Sequence, residues 1–308
     1  EMLVRLATVH ETKLESHGAA LDVMLKALRE FKEDLQLWDR AERLATASGR
    51  VTELAHALRD TLRSELSEEI EVELCDRAAR LHEDTLGDAM GAAPYLERLL
   101  VKNAANQDAF ARLKQILTSA ERWGELEDLY DRTTRFIDDV PTRVDLLTEV
   151  ALVCEEIIED DARAIGYYER ILEISPAHDA SMRALDRLYQ RAKRYPAWAE
   201  LLGRRLGDMT GDEALDTELR LARVQLEQLH EPNKAIEHVE RVLGERPNDY
   251  TARELAERIL QIGDLRVRAA RVLEPVYEGR DEVRELVSVL EVRWAAGEDS
   301  GDEADVRR

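Results

Sequence analysis

The chain has 308 residues, of which 66 are Asp or Glu and 44 are Lys or Arg, for a formal net charge of −22. A field of that sign repels nucleic acid and anionic membranes and favours basic or neutral partners. Only 14 Gly and 7 Pro punctuate a sequence that is 44% hydrophobic and 36% charged, a composition of nearly all-helical proteins with no β-sheet.

Arg supplies 37 of the 44 basic residues, a bias that a high-GC bacterial genome produces. The two cysteines, Cys75 and Cys154, are far apart and form no CxxC pair. They read as buried free thiols in a reducing, cytoplasmic compartment. No apolar run approaches the roughly 20 residues that cross a bilayer. Glu1 is not a natural start, and the chain reads as an excerpt of a longer protein.

Taken in order, the segments repeat. The first set is LATVHETKL (6–14), AALDVMLKAL (19–28) and, after a further helical stretch, RVTELAHAL (50–58). The second is AARLHEDTL (78–86), AAPYLERLL (92–100), AFARLKQIL (109–117) and RWGELEDLY (122–130). The third is VALVCEEII (150–158), AIGYYERILEISP (164–176), SMRALDRLY (181–189) and RYPAWAELL (194–202). The fourth opens with LARVQLEQL (221–229), AIEHVERVLGERP (235–247) and YTARELAERILQIGD (250–264). Each segment spaces its apolar residues by three and four, the period of an amphipathic helix. Short breakers such as SHG, LGD, SPAH, EPN and RPND separate them. The period is therefore about 72 residues, four helices or two hairpins, with Ala20, Ala92, Ala164 and Ala235 in one slot. Leu28, Leu100, Leu172 and Leu243 share another.

The fourth set departs from the period. LRVRAARVLEPVYEGR (265–280) fits the third slot a second time, with Val276 and Tyr277 aligning to Leu188 and Tyr189 at an offset of 88. DEVRELVSVLEVRW (281–294) then resumes the fourth slot. One inserted helix implies an altered pitch or a kink around 262–282. The expected organisation is one continuous array over 1–296, followed by an acidic linker, GEDSGDEADVRR (297–308), that opens a further repeat.

The second-helix phrases resemble the tetratricopeptide repeat family. Ala164, Tyr168 and Pro176 match its small residue, its large apolar residue four further on and its terminal Pro; Ala235, Val239 and Pro247 do the same. The first helices lack the family's Trp, Leu-Gly and Tyr signature. The resemblance implies an all-α, right-handed α-solenoid of stacked antiparallel hairpins, with about 17 helices here. It also implies a protein–protein interaction scaffold that holds a partner segment on its concave surface. The alternative is a structural or regulatory spacer within a larger protein. Known clamps for chaperone C-termini are not expected, because the four Asn (103, 106, 233 and 248) fall in or beside turns.

No segment carries catalytic or cofactor chemistry. HETKLESH (10–17) and HEPNKAIEH (230–238) hold histidines, but neither has the HExxH spacing of a metal helix. Phosphate-binding loops, dinucleotide fingerprints and nucleophile elbows are also absent from the sequence. The expectation is a protein with no enzyme activity, cofactor or metal. His238 is expected on the surface of its helix. The Glu-Arg pairs at 97–98, 169–170 and 240–241 read as solvated polar faces, and Arg191, Lys193 and Arg194 as cations suited to a helix C-terminus.

In the family, positions two, five, nine and twelve of the first helix tend to face the concave surface. The resemblance then puts Arg5, Arg77 and Arg220 at position five, with Glu149 interrupting the series. In the alternate hairpins Arg43, Gln115, Arg187 and Arg258 occupy position nine. Such a surface suits an acidic peptide or a carboxylate-bearing tail. The competing reading pairs these arginines with Glu on neighbouring hairpins.

Overall fold

The computed structural model describes residues 2–297. Past Gly297, the expected acidic linker lies outside the described residues. Seventeen α-helices and no strand occur among the described residues. They fall into two compact units, one reaching Val150 and the other starting at Ala151.

The first unit runs α1 (Met2–Thr12), α2 (His17–Glu30), α3 (Leu35–Ser48), α4 (Val51–Thr61), α5 (Glu68–Arg80), α6 (Ala89–Lys102), α7 (Gln107–Ser119) and α8 (Trp123–Phe136). Most of α9 (Val140–Leu152) belongs to it as well. The second unit contains α10 (Asp161–Ile174), α11 (Asp179–Arg191), α12 (Tyr195–Leu206), α13 (Gly211–Glu227) and α14 (Pro232–Glu245). It continues with α15 (Tyr250–Ile259), α16 (Arg266–Glu278) and α17 (Val283–Ala295). Within each unit successive helices pack as antiparallel hairpins, as in α1 with α2, α5 with α6, and α13 with α14.

The core explains the repeating small residue. Ala20, Ala92, Ala164 and Ala235 are all fully buried, where a larger side chain would push the crossing helices apart. One turn later Met24, Leu96, Tyr168 and Val239 fill the space between hairpins. The Leu slot holds in three copies; in the second, Leu100 is half-buried and Leu99 takes the core position. Cys75 and Cys154 are buried and form no disulfide, and burial pushes the Cys75 thiol up to about 11.

Three types of turn recur with the sequence period. Where each first helix ends, Ser16, Asp88, Asp160 and Glu231 donate their backbone N–H six residues back, to His10, His82, Cys154 and Gln225 at 2.8–3.0 Å. This loop is one residue wider than a Schellman turn, and the chain forms π-helical turns at Leu81–Leu86 and Val153–Ile157 to make it. Its last residue is left-handed in every copy: Glu15, Gly87, Glu159 and His230. At the second turn Asp34, Asn106, His178 and Asp249 cap the next helix with side-chain acceptors. At the third, Arg50, Arg122, Arg194 and Glu282 donate five residues back, after left-handed Gly49, Glu121, Lys193 and Asp281. The last member of that series lies 88 residues beyond Lys193. A 3-10 turn at Gly263–Leu265 and helix α16 fill the interval.

Candidate functional site: an ion-paired face and a basic cleft

The arginines assigned to a ligand surface are for the most part already occupied. Arg77 on α5 contacts Asp39 at 2.5 Å and Glu73 at 2.7 Å. Arg187 on α11 meets Glu155 at 3.1 Å, and Arg258 on α15 pairs with Glu227. Arg220 on α13 lies 2.6 Å from Asp186 and stacks 5.7 Å from the Trp198 ring centre. Arg5 and Arg43 are exposed, and Arg43 has no ion-pair partner among the described residues.

A regular pattern lies behind these pairs. Glu11, Glu83, Glu155 and Glu227 are spaced 72 residues apart and end the first helix of each set. Each binds an arginine of the next hairpin: Arg40 at 2.7 Å, Arg112, Arg187 at 3.1 Å and Arg258. Arg112 also reaches Asp76 at 2.7 Å, and its side chain is only 17% exposed. The sequence contained this series in its aligned first-helix segments, but pairing requires knowing which faces meet.

The Glu-Arg pairs read as solvated faces do more than that. Arg98 holds the buried Glu71 and donates to the Leu62 carbonyl at 2.7 Å, while Arg241 reaches Glu218 at 2.8 Å. Glu169 accepts from the Tyr189 hydroxyl at 2.8 Å, and Glu257 accepts from Tyr277 at 2.9 Å. In the turn after α11, Arg191 binds Asp161 and Arg194 lies 3.6 Å from Glu169.

Asp186 on α11 gathers three donors in the second unit. It accepts from Arg220 and from the Trp198 indole N–H, both at 2.6 Å, and from Gln190 at 3.1 Å. Burial opposes its ionisation, yet these donors together hold its carboxyl below the usual range.

The first unit also holds a cleft of about 640 Å³ between α4 and the start of α6. Ala55, Leu62, Leu86, Pro94 and Tyr95 give it an apolar part of the lining. His56, Arg59, Arg63, His82 and Arg98 line it, against a single carboxylate, Asp88. Arg59 and Arg63 share only the loose partner Asp60, at 3.9 and 3.5 Å, and their side chains are 50% and 71% exposed. The His82 ring faces Tyr95 at 5.7 Å, and its buried Nδ1 lies 3.3 Å from Asp88 without hydrogen-bond geometry. Asp88 caps α6 through the Gly91 N–H. A Cβ at Gly91 would fall 2.2 Å from Asp88 and 2.3 Å from His82, so glycine lets the rim close. No sequence motif marks this cleft, because its cations come from helices about 30 residues apart.

Among the described residues, no group of three His, Cys, Asp or Glu is arranged to hold a metal ion, and no helix is long and apolar enough to cross a membrane.

The sequence matches no family model and no curated protein. Several solved structures are similar. The human IFIT1 dimer with PPP-AAAA is 16% identical over 92% of this chain and 69% of its own, with a TM-score of 0.34. A tetratricopeptide repeat protein from Parabacteroides merdae is 13% identical over 84% and 98%, with a TM-score of 0.30. YrrB, described as a tetratricopeptide repeat protein with an unusual peptide-binding site, is 13% identical over 66% and 99%, with a TM-score of 0.31. The chain is thus similar to known helical-repeat proteins, and its own hairpins carry the assignment to an all-α, tetratricopeptide-like architecture.

Proposed function

We propose that this chain is a non-enzymatic protein–protein interaction scaffold, and that its first unit receives an acidic protein segment in the cleft between α4 and α6. The observation that supports this most directly is local charge reversal. In a chain of net charge −22, Arg59 and Arg63 stand at the cleft with Asp60 as their one loose partner among the described residues, while Arg98 is already held by Glu71. Arg59 and Arg63 keep most of their hydrogen-bonding capacity free for a carboxylate, and guanidinium groups suit that planar geometry. The apolar lining beside them fits a hydrophobic anchor within the acidic segment.

This reading keeps the acidic partner and moves it away from the arginine ladder. Arg77, Arg187, Arg220 and Arg258 serve the joints between hairpins, and an incoming carboxylate there competes with one already in place.

The test is fluorescence anisotropy with labelled Glu/Asp-rich peptides bearing one Leu or Phe. Arg59→Glu with Arg63→Glu is expected to weaken binding at least tenfold, whereas Arg187→Glu leaves it within twofold. Added salt should weaken binding to the unsubstituted chain. Equal loss from Arg187→Glu would return the contact to the ladder. Absence of binding to any acidic peptide would favour a spacer role.

A further inference from the structure

Another cavity of the first unit, of about 430 Å³, opens between the α6–α7 turn and the α8–α9 turn. Phe110, Phe136, Ile137 and Leu146 give it an apolar lining, with Ala105 at the α6–α7 turn. Part of that lining is fixed by the core, since Phe110 is 9% exposed and meets the Tyr130 ring edge-on at 5.4 Å. Phe136, at the end of α8, is 66% exposed.

The preceding set closes the same joint with its own side chains. One 72-residue period earlier, Ala105 corresponds to Glu33 and Asp139 to Ser67. Glu33 accepts from the Ser67 backbone N–H at 3.0 Å and from its hydroxyl at 3.2 Å, tying one turn to the other. In the second set this bridge is lost, because Ala105 has no carboxylate and Asp139 has no hydroxyl to donate. Asp139 turns instead to α9, where its Oδ2 accepts from the Thr142 N–H at 2.9 Å and the Thr142 hydroxyl at 2.5 Å. In addition, α8 runs on to Phe136, whereas α4 stops at Thr61, the counterpart of Thr133.

The charges at the opening are of one sign. Asp138 is exposed and its carboxylate has no partner among the described residues, while Asp139 keeps Oδ1 unengaged. Among the described residues no Lys or Arg lines the cavity, and the sequence neighbours Arg135 and Arg143 stay out of it. We propose that this cavity docks a basic protein segment, which inserts one Phe, Leu or Met side chain against Phe110 and Phe136 and sets a neighbouring Lys or Arg on Asp138 and Asp139. Its volume and apolar lining suit such an anchor. A carboxylate without a partner gains more from a cationic donor than from a neutral one. The net charge of −22 attracts the same kind of segment over longer range. This site is separate from the cleft between α4 and α6 and opposite to it in polarity, so binding at one does not require the other.

Fluorescence anisotropy on the intact chain tests this with a labelled Lys- and Arg-rich peptide that carries a single Phe. Replacing that Phe by Ala is expected to weaken binding about tenfold. Asp138→Lys is expected to weaken it roughly fivefold, whereas Glu245→Lys, the same charge change at an exposed position of the second unit, leaves it within about twofold. Ala105→Trp fills the opening and is expected to abolish the difference between the Phe and Ala peptides. Ala105 and Asp138 are exposed and lie outside the helices, so both variants are expected to fold. Equal binding of the Phe and Ala peptides to the unsubstituted chain would overturn the proposal, as would equal losses from Asp138→Lys and Glu245→Lys. Failure of the Phe peptide to bind would also overturn it. Dimers of the unsubstituted chain that Ala105→Trp abolishes, seen by sedimentation velocity, would assign the cavity to a second copy instead.

Discussion

His238 shows how far a side chain's environment departs from its sequence context. Expected on the surface of its helix, it is half-buried on α14, with Arg241 donating to Nδ1 at 2.6 Å. Burial, with Arg241 second, lowers its pKa from 6.5 to about 4, while Glu237 opposes the shift weakly. Below pH 6.5 the unfolded chain takes up a proton that the folded chain refuses. Stability therefore falls as pH drops from about 6.5 to about 4 and is flat below that. His238→Gln is expected to shrink the loss of stability between pH 7 and pH 4.5, measured as urea midpoints at the two pH values. An unchanged difference between the two pH values would place His238 in solvent. Glu71 illustrates the converse. Its buried carboxylate is held ionised first by Lys102 and then by Arg98, from a position that reads in sequence as ordinary helix surface.

At the scale of elements, the turns carry the repeat as firmly as the helices do. Gly49, Glu121 and Lys193 occupy the same left-handed position, at φ of 68°, 54° and 55°. An L-residue with a Cβ is disfavoured there by roughly 1–2 kcal/mol, so the second and third copies retain a strain that the first avoids. Lys193→Gly should raise stability by about 0.5–1 kcal/mol, and Gly49→Ala should lower it by about 1 kcal/mol, read as opposite shifts in Tm. Two shifts of the same sign would contradict the turn geometry. The sequence breakers SHG, LGD, EPN, SPAH and RPND mark the other two turn types and not these, because Glu and Lys give no signal of positive φ. The Asp, Asn and His caps before α3, α7, α11 and α15 were also hidden, since each falls at the edge of an apparently polar loop.

Across the molecule, the Glu11, Glu83, Glu155 and Glu227 series links successive hairpins in a chain whose net charge would otherwise drive them apart. The links differ in strength because they differ in burial. Arg112 is enclosed by Asp76 and Glu83, whereas the Arg187 side chain is 66% exposed. Arg112→Met should cost about 2 kcal/mol by leaving Glu83 without a partner and Asp76 with Arg80 alone, and Arg187→Met should stay within about 0.5 kcal/mol. Chemical denaturation of both variants measures the contrast; equal costs would mean that burial does not grade the series.

The 72-residue period, the helical class, the buried Ala slot and the buried cysteines could be read from sequence alone. They depend on local spacing and on which side chains must leave water, and both are properties of the linear chain. Tertiary structure alone decided what the arginines do. A guanidinium on a helix surface has the same local sequence whether it meets solvent, a ligand or a carboxylate 30 residues away, and only the packing of one hairpin on the next distinguishes them. The cleft between α4 and α6 arises in the same way. It is made by which helix stands beside which.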